Sequence, residues 1–111
     1  MAETNGQVDL LVIGGGMAGL SAAARAASDG ANVVLVEKGS ALGGSANYAE
    51  FIWTAPTMEV MREVNPDADE ALSSRLVEDY AQALDWVRSL DVHVADPVTV
   101  IGYGVINFAF L

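Results

Sequence analysis

The 111 residues include no cysteine, which excludes disulfides, thiol nucleophiles and Cys-ligated metal while leaving the redox compartment open. Positive charge is also scarce. Five Lys and Arg stand against 15 Asp and Glu, for a formal charge of −10, a balance that opposes binding to nucleic acid and to anionic membrane surfaces. The acids are scattered and read as a solubilising face. Histidine occurs once, at His93, and aromatics make up 7% of the chain. Trp53, Trp86 and the methionines read as packing residues. No Ser/His/Asp or paired-carboxylate arrangement stands at catalytic spacing, so no catalytic residue and no metal ligand is assigned. A basic leader is missing too: the first apolar stretch is broken by Asp9 and by three consecutive glycines, so the chain is expected to be cytoplasmic. The uncharged run 98–111 is 14 residues long, short of the roughly 20 that span a membrane. Its residues favour buried strand.

Apolar residues, by contrast, are plentiful. At 52% of the chain, with a mean hydropathy of +0.34, they predict one folded domain. The most informative segment starts at Val8-Asp9-Leu10-Leu11-Val12-Ile13, a short strand that runs into Gly14, Gly16 and Gly19. An Ala-rich helical stretch follows over 20–29 and stops at Gly30. A second strand, Asn32-Val33-Val34-Leu35-Val36, ends on Glu37, 18 residues beyond Gly19. This order of strand, glycine turn, helix, strand and acid is a βαβ unit, residues 8–37, that holds a dinucleotide. Gly14 makes the tight turn, Gly16 lets backbone approach a pyrophosphate, and Gly19 lets the helix press on the strand. A helix starting near Met17 aims free N–H groups at the phosphates, with Gly15, Met17 and Ala18 as backbone donors. Glu37 accepts from ribose hydroxyls and repels a 2′-phosphate, which disfavours NADP. A Walker phosphate loop is excluded because Leu20 stands where that loop needs lysine.

Beyond Glu37, residues 39–45 form a second glycine-rich loop. Pro56 precedes a short helix around 58–63. Asn65-Pro66-Asp67 is read as a turn and helix start, with Asp67 and Glu70 spaced as in a capping box. The helix that follows is expected to run over about 67–90, with Leu72, Leu76, Val77, Tyr80, Leu84, Val87 and Leu90 on its packed face. Val92-His93-Val94 and residues 98–101 are expected to be short strands. His93, in an apolar alternation near a turn, is read as an ordinary packing residue.

The segment Val36-Glu37-Lys38-Gly39-Ser40-Ala41-Leu42-Gly43-Gly44-Ser45 resembles the region after the second strand in FAD-dependent oxidoreductases of the fumarate reductase and succinate dehydrogenase flavoprotein family, with the 3-ketosteroid dehydrogenase branch the nearest in look. The resemblance implies a Rossmann-like α/β FAD/NAD(P)-binding fold with a parallel sheet, incomplete at this length. It implies FAD as cofactor, held at its pyrophosphate and ribitol by Gly43, Gly44 and Ser45, with Lys38 on the adenosine side. Glycine backbone approaches phosphate closely and a serine hydroxyl donates to an anionic oxygen. A plain NAD unit does not need this second loop. Two departures stand out. Where family members usually continue into Ser-Gly-Gly near the flavin, this chain has Tyr48-Ala49-Glu50, and family members are several times longer.

By the same resemblance a polar, basic continuation is expected after Gly104, and residues 105–111 are apolar instead. The expectation is therefore a truncated or frameshifted product, an FAD-binding segment of an oxidoreductase acting on a carbon–carbon bond, inactive alone. With one crossover helix for a sheet that needs cover on both faces, the chain is expected to self-associate or to require a partner chain. A stand-alone nucleotide-binding or interaction module and an NAD-dependent fragment are the alternative readings.

Overall fold

The computed structural model describes residues 6–49, 51–96, 98–100 and 104–108. Glu50, Pro97, residues 101–103 and the last residues of the apolar tail, 109–111, lie outside the described residues, as do the expectations placed on them. The chain divides into two compact units that meet between Ala49 and Glu50.

The first unit is the βαβ element. Strand β1 (Leu10–Ile13) pairs in parallel with β2 (Val33–Val36), in the register Leu10 with Val33 through Ile13 with Val36. Helix α1 (Met17–Ser28) crosses between them. Alternation sorts the strand residues: Val12, Val33 and Leu35 are half-buried, whereas Leu11, Ile13, Val34 and Val36 are exposed, Ile13 to 81%. One sheet face is thus covered by α1 and the other is open. Asp9 and Asn32 fasten the start of the pair, since the Asp9 N–H donates to the Asn32 carbonyl (2.9 Å) and the Asn32 N–H to the Asp9 carboxylate (2.8 Å). The helix closes in a Schellman arrangement, with Ala31 N–H on the Ala26 carbonyl and Gly30 N–H on the Ala27 carbonyl, both 3.0 Å.

In the second unit β3 (Phe51–Thr54), β4 (Val98–Val100) and β5 (Gly104–Phe108) form an antiparallel sheet in the order β3-β5-β4. Trp53 and Val98 both stand opposite Ile106. Helix α2 (Met58–Val64) is capped by Thr57, whose hydroxyl accepts from the Val60 N–H (3.3 Å). Helix α3 (Glu70–Arg88) packs on α2 and β3. Among the described residues, Ala55, Met61, Leu84 and Val94 are buried and apolar.

Three sequence expectations change here. Helix α3 begins at Glu70, with Asp69 as N-cap accepting from the Leu72 N–H (2.9 Å). Asp67 sits instead in a turn that the Ala68 N–H closes on the Asn65 carbonyl (3.2 Å). The packed face is also rotated: Ser73 and Leu84 are buried with Val77, Tyr80 and Val87 half-buried, while Leu72, Leu76 and Leu90 are exposed. A small serine at the contact lets α3 sit close to its neighbours, and the larger leucines fall outside. Finally, residues 92 and 93 are not strand, and Val94 is an isolated bridge position. Asp91, at φ 60°, turns the chain after α3, and His93 is exposed.

Candidate functional site

The end of β1, the start of α1 and the loop after β2 converge within the first unit. Gly14 leaves the strand with its N–H on the Val36 carbonyl (2.8 Å), so the turn starts from a fixed point on β2. Gly15 is buried, and its N–H donates to Glu37 Oε2 (2.7 Å). The other carboxylate oxygen, Oε1, accepts from the Gly39 N–H (2.7 Å). The Gly15 bond first, and the Gly39 bond after it, hold the Glu37 carboxyl below the usual carboxylate range. Each oxygen retains a lone pair, so the ribose-accepting capacity expected of Glu37 persists alongside its backbone bonds.

Gly16 is the N-cap of α1, in extended conformation, with no side chain capping the helix and no acid in its first turn. The helix N-terminus therefore carries its positive dipole end uncompensated by side chains. Met17 and Ala18, the first helical residues, are exposed. A side chain at Gly19 would overlap the Gly14 carbonyl oxygen and meet Val12 at 3.3 Å. This close approach of helix to turn is what the third glycine of the motif permits.

The second loop lies directly on this turn. The Gly43 N–H donates to the Gly15 carbonyl (2.7 Å), and Gly16 and Gly43 form a parallel bridge. Gly44 is next to Gly16, with a methyl added at Gly44 falling 3.6 Å from the Gly16 Cα. Gly44 then opens a 3-10 turn, Gly44–Tyr48, that carries Ser45. Gly44, Ser45 and Lys38 are exposed. The structure thus brings Gly14, Gly15, Gly16, Gly19, Glu37, Gly43 and Gly44 into one backbone surface, with Ser45 and Lys38 at its margins.

Two neighbours had no signal in the sequence. Leu42 covers Gly15 so closely that a methyl there would meet Leu42 Cδ2 at 2.6 Å. Asn47 donates from Nδ2 to the Leu42 carbonyl (3.0 Å) and fills the space beside Gly43. Neither residue type belongs to a recognised phosphate-binding pattern, and only the folded loop shows what they touch. Among the described residues there is no group of three His, Asp or Glu that could hold a metal, and no helix is long and apolar enough to cross a membrane.

The family model for FAD dependent oxidoreductases matches residues 9–100. The chain is 38% identical over 88 residues to a vinyl phenol reductase of Lactiplantibacillus plantarum, covering 75% of this chain and 17% of that protein. It is 36% identical over 99 residues to a zeta-carotene-forming phytoene desaturase of Myxococcus xanthus, covering 86% and 19% respectively. A cytochrome-type fumarate reductase of Shewanella frigidimarina is 30% identical over 109 residues, at 80% and 19% coverage. A solved flavocytochrome c3 fumarate reductase, in its open conformation, superposes with a TM-score of 0.74 at 24% identity, covering 97% of this chain and 22% of its own. The fold is accordingly of the Rossmann-like FAD-binding type.

This chain belongs to the FAD-dependent oxidoreductase family. It spans less than a fifth of the length of these curated relatives. Its cofactor is FAD, and the residues present fit that group: the N-terminus of α1 has no side-chain cap, Gly16 adds no side chain in front of it, and the second glycine loop is bridged beside it, which leaves the first N–H groups of the helix open to a pyrophosphate.

Proposed function

We propose that this chain forms the adenosine and pyrophosphate half of an FAD site in an oxidoreductase that moves hydride between a carbon–carbon bond and the flavin, with both units belonging to one FAD-binding domain. The observation that carries the reading is the bonding of the second glycine loop to the first, through Gly43 N–H on the Gly15 carbonyl and the Gly16–Gly43 bridge. A unit that holds only NAD does not require it. Gly16, Met17, Ala18 and Gly19 present backbone to the pyrophosphate, with Gly14 setting the turn; Gly15, expected from the sequence to be a phosphate donor, instead spends its N–H on Glu37 and its carbonyl on Gly43 and so fixes both against the turn. Glu37 orients the ribose through its remaining lone pairs, with Lys38 beside the adenosine, while Gly43, Gly44 and Ser45 support the second phosphate and the ribitol. When bound, FAD supplies the redox chemistry.

The relatives' names, two reductases and a desaturase, support a reaction at a carbon–carbon bond. The groups that would select a substrate and deliver a proton are not among the residues assigned here, so the 111-residue chain alone is expected to show no turnover. Thermal unfolding of the purified chain with FAD, NAD or ADP tests the assignment. FAD should raise Tm more than NAD does, and Gly19→Ala should abolish the FAD shift, because its methyl displaces α1 from the turn. An equal or larger shift with NAD, or an ADP shift without any flavin retention, would replace this reading with an NAD fragment or a nucleotide-binding module.

A further inference from the structure

We propose that Asn47 is a positioning residue for the cofactor: it clasps the second glycine loop so that Gly43 stays bonded to the dinucleotide turn. The inference rests on the FAD reading above and goes beyond it, because Asn47 lies outside both glycine motifs. Three observations meet at this side chain. Its Nδ2 donates to the Leu42 carbonyl (3.0 Å), five residues back, and so closes the loop on itself. Its carboxamide lies against Gly43, occupying the volume that a Cβ there would take. Gly43 itself sits at φ 110°, a conformation open to glycine and strained for other residues.

The consequence reaches the cofactor surface in one step. With Leu42 and Gly43 held by the same side chain, the Gly43 N–H is aimed at the Gly15 carbonyl (2.7 Å), and Gly16 and Gly43 are bridged. Without the clasp, the five residues from 39 to 43 are ordered by the Gly39 bond to Glu37 and by bonds at Gly43, to the Gly15 carbonyl and from the Ala46 N–H (3.0 Å), and no side chain ties Leu42 to the loop's far end. A glycine-rich loop has much conformational freedom to lose, so removing one of its few anchors populates open states. Asn47 therefore acts through the backbone of residues 42–44, with no need to touch FAD.

The test uses Asn47→Ala, which removes bulk and donor, and Asn47→Leu, which keeps the volume and removes the donor. Amide exchange reads the Gly43 N–H directly and needs no flavin. Titration of FAD, followed by flavin fluorescence at a temperature where circular dichroism shows each variant fully folded, reads affinity separately from stability. Both variants are expected to exchange Gly43 at least tenfold faster than the wild-type chain and to raise the Kd for FAD at least tenfold. Gly43→Ala should do the same, because its methyl overlaps the Asn47 carboxamide, and adding Asn47→Ala to it should raise Kd by less than threefold. Unchanged Gly43 exchange in both Asn47 variants would overturn the clasp, whatever FAD does. Faster exchange with a Kd within twofold of wild type would overturn the positioning role and leave Asn47 a structural residue. A wild-type chain that protects Gly43 yet takes up no FAD would refute the cofactor reading and not the clasp.

Discussion

Glu37 holds two backbone amides with one carboxylate, and acid weakens both bonds. Its oxygens accept from Gly15 and Gly39, on either side of the dinucleotide turn, which lowers its pKa from the ordinary 4.5. A carboxyl whose folded pKa is depressed adds stability that is fully present above its ordinary pKa and is lost as pH falls through the folded value. Protection factors of the Gly15 and Gly39 amides should accordingly stay level from neutral pH down to 4.5 and fall below it. In Glu37→Gln that acid-dependent step should disappear, and FAD should bind about tenfold more weakly at pH 7, the usual scale for losing a charge-assisted hydrogen bond. Glu59 and Glu70 are also depressed, the first by backbone and Thr57 hydrogen bonds, the second by Arg62. Global acid unfolding therefore sums several groups, and the amides of the turn are the proper probe for Glu37.

At the scale of elements, the two helices that matter most are started in opposite ways. Helix α3 has a side-chain cap, Asp69, whose carboxylate accepts from the Leu72 N–H, whereas α1 has none. A capped N-terminus is built for stability and an uncapped one leaves its donors to a ligand. Asp69→Ala should cost about 1 kcal/mol in urea unfolding, while Asp67→Ala, in the preceding turn, should stay within about 0.5 kcal/mol of wild type. Equal losses at the two positions would move the start of α3 back to Asp67. A cap at the start of α1, such as Gly16→Ser, would compete for the donors proposed to hold the cofactor.

For the molecule as a whole, the open face of the β1–β2 sheet is the dominant feature. Leu11, Ile13, Val34 and Val36 are exposed on the side away from α1, and contiguous apolar surface of this kind promotes association. The chain is expected to associate as its concentration rises, and the double variant Ile13→Thr/Val36→Thr should lower the apparent mass seen by light scattering. No change in association would shift attention to the second unit, where a cavity of about 290 Å³ opens among Ala55, Val77, Tyr80 and Leu84. The net charge of −10 opposes self-association, so added salt should strengthen it by screening.

The turn from Gly14 to Gly19, the span of α1 and the acid at Glu37 were legible in the sequence because each is set by neighbours a few residues away or by one short crossover. Turn sterics, helix periodicity and the fixed length of a βαβ unit leave little else for those residues to do. The same local logic put the cap at Asp67 and placed Leu72 and Leu76 on the packed face, whereas the start and rotation of α3 are decided by what the helix rests on. Only the tertiary structure could decide those points, together with the antiparallel pairing of β3 with β5, more than 50 residues apart, and the closure of Asn47 and Leu42 on the glycine turn. Such contacts join segments whose own sequences carry no record of each other, and they form only when the chain brings their backbones together.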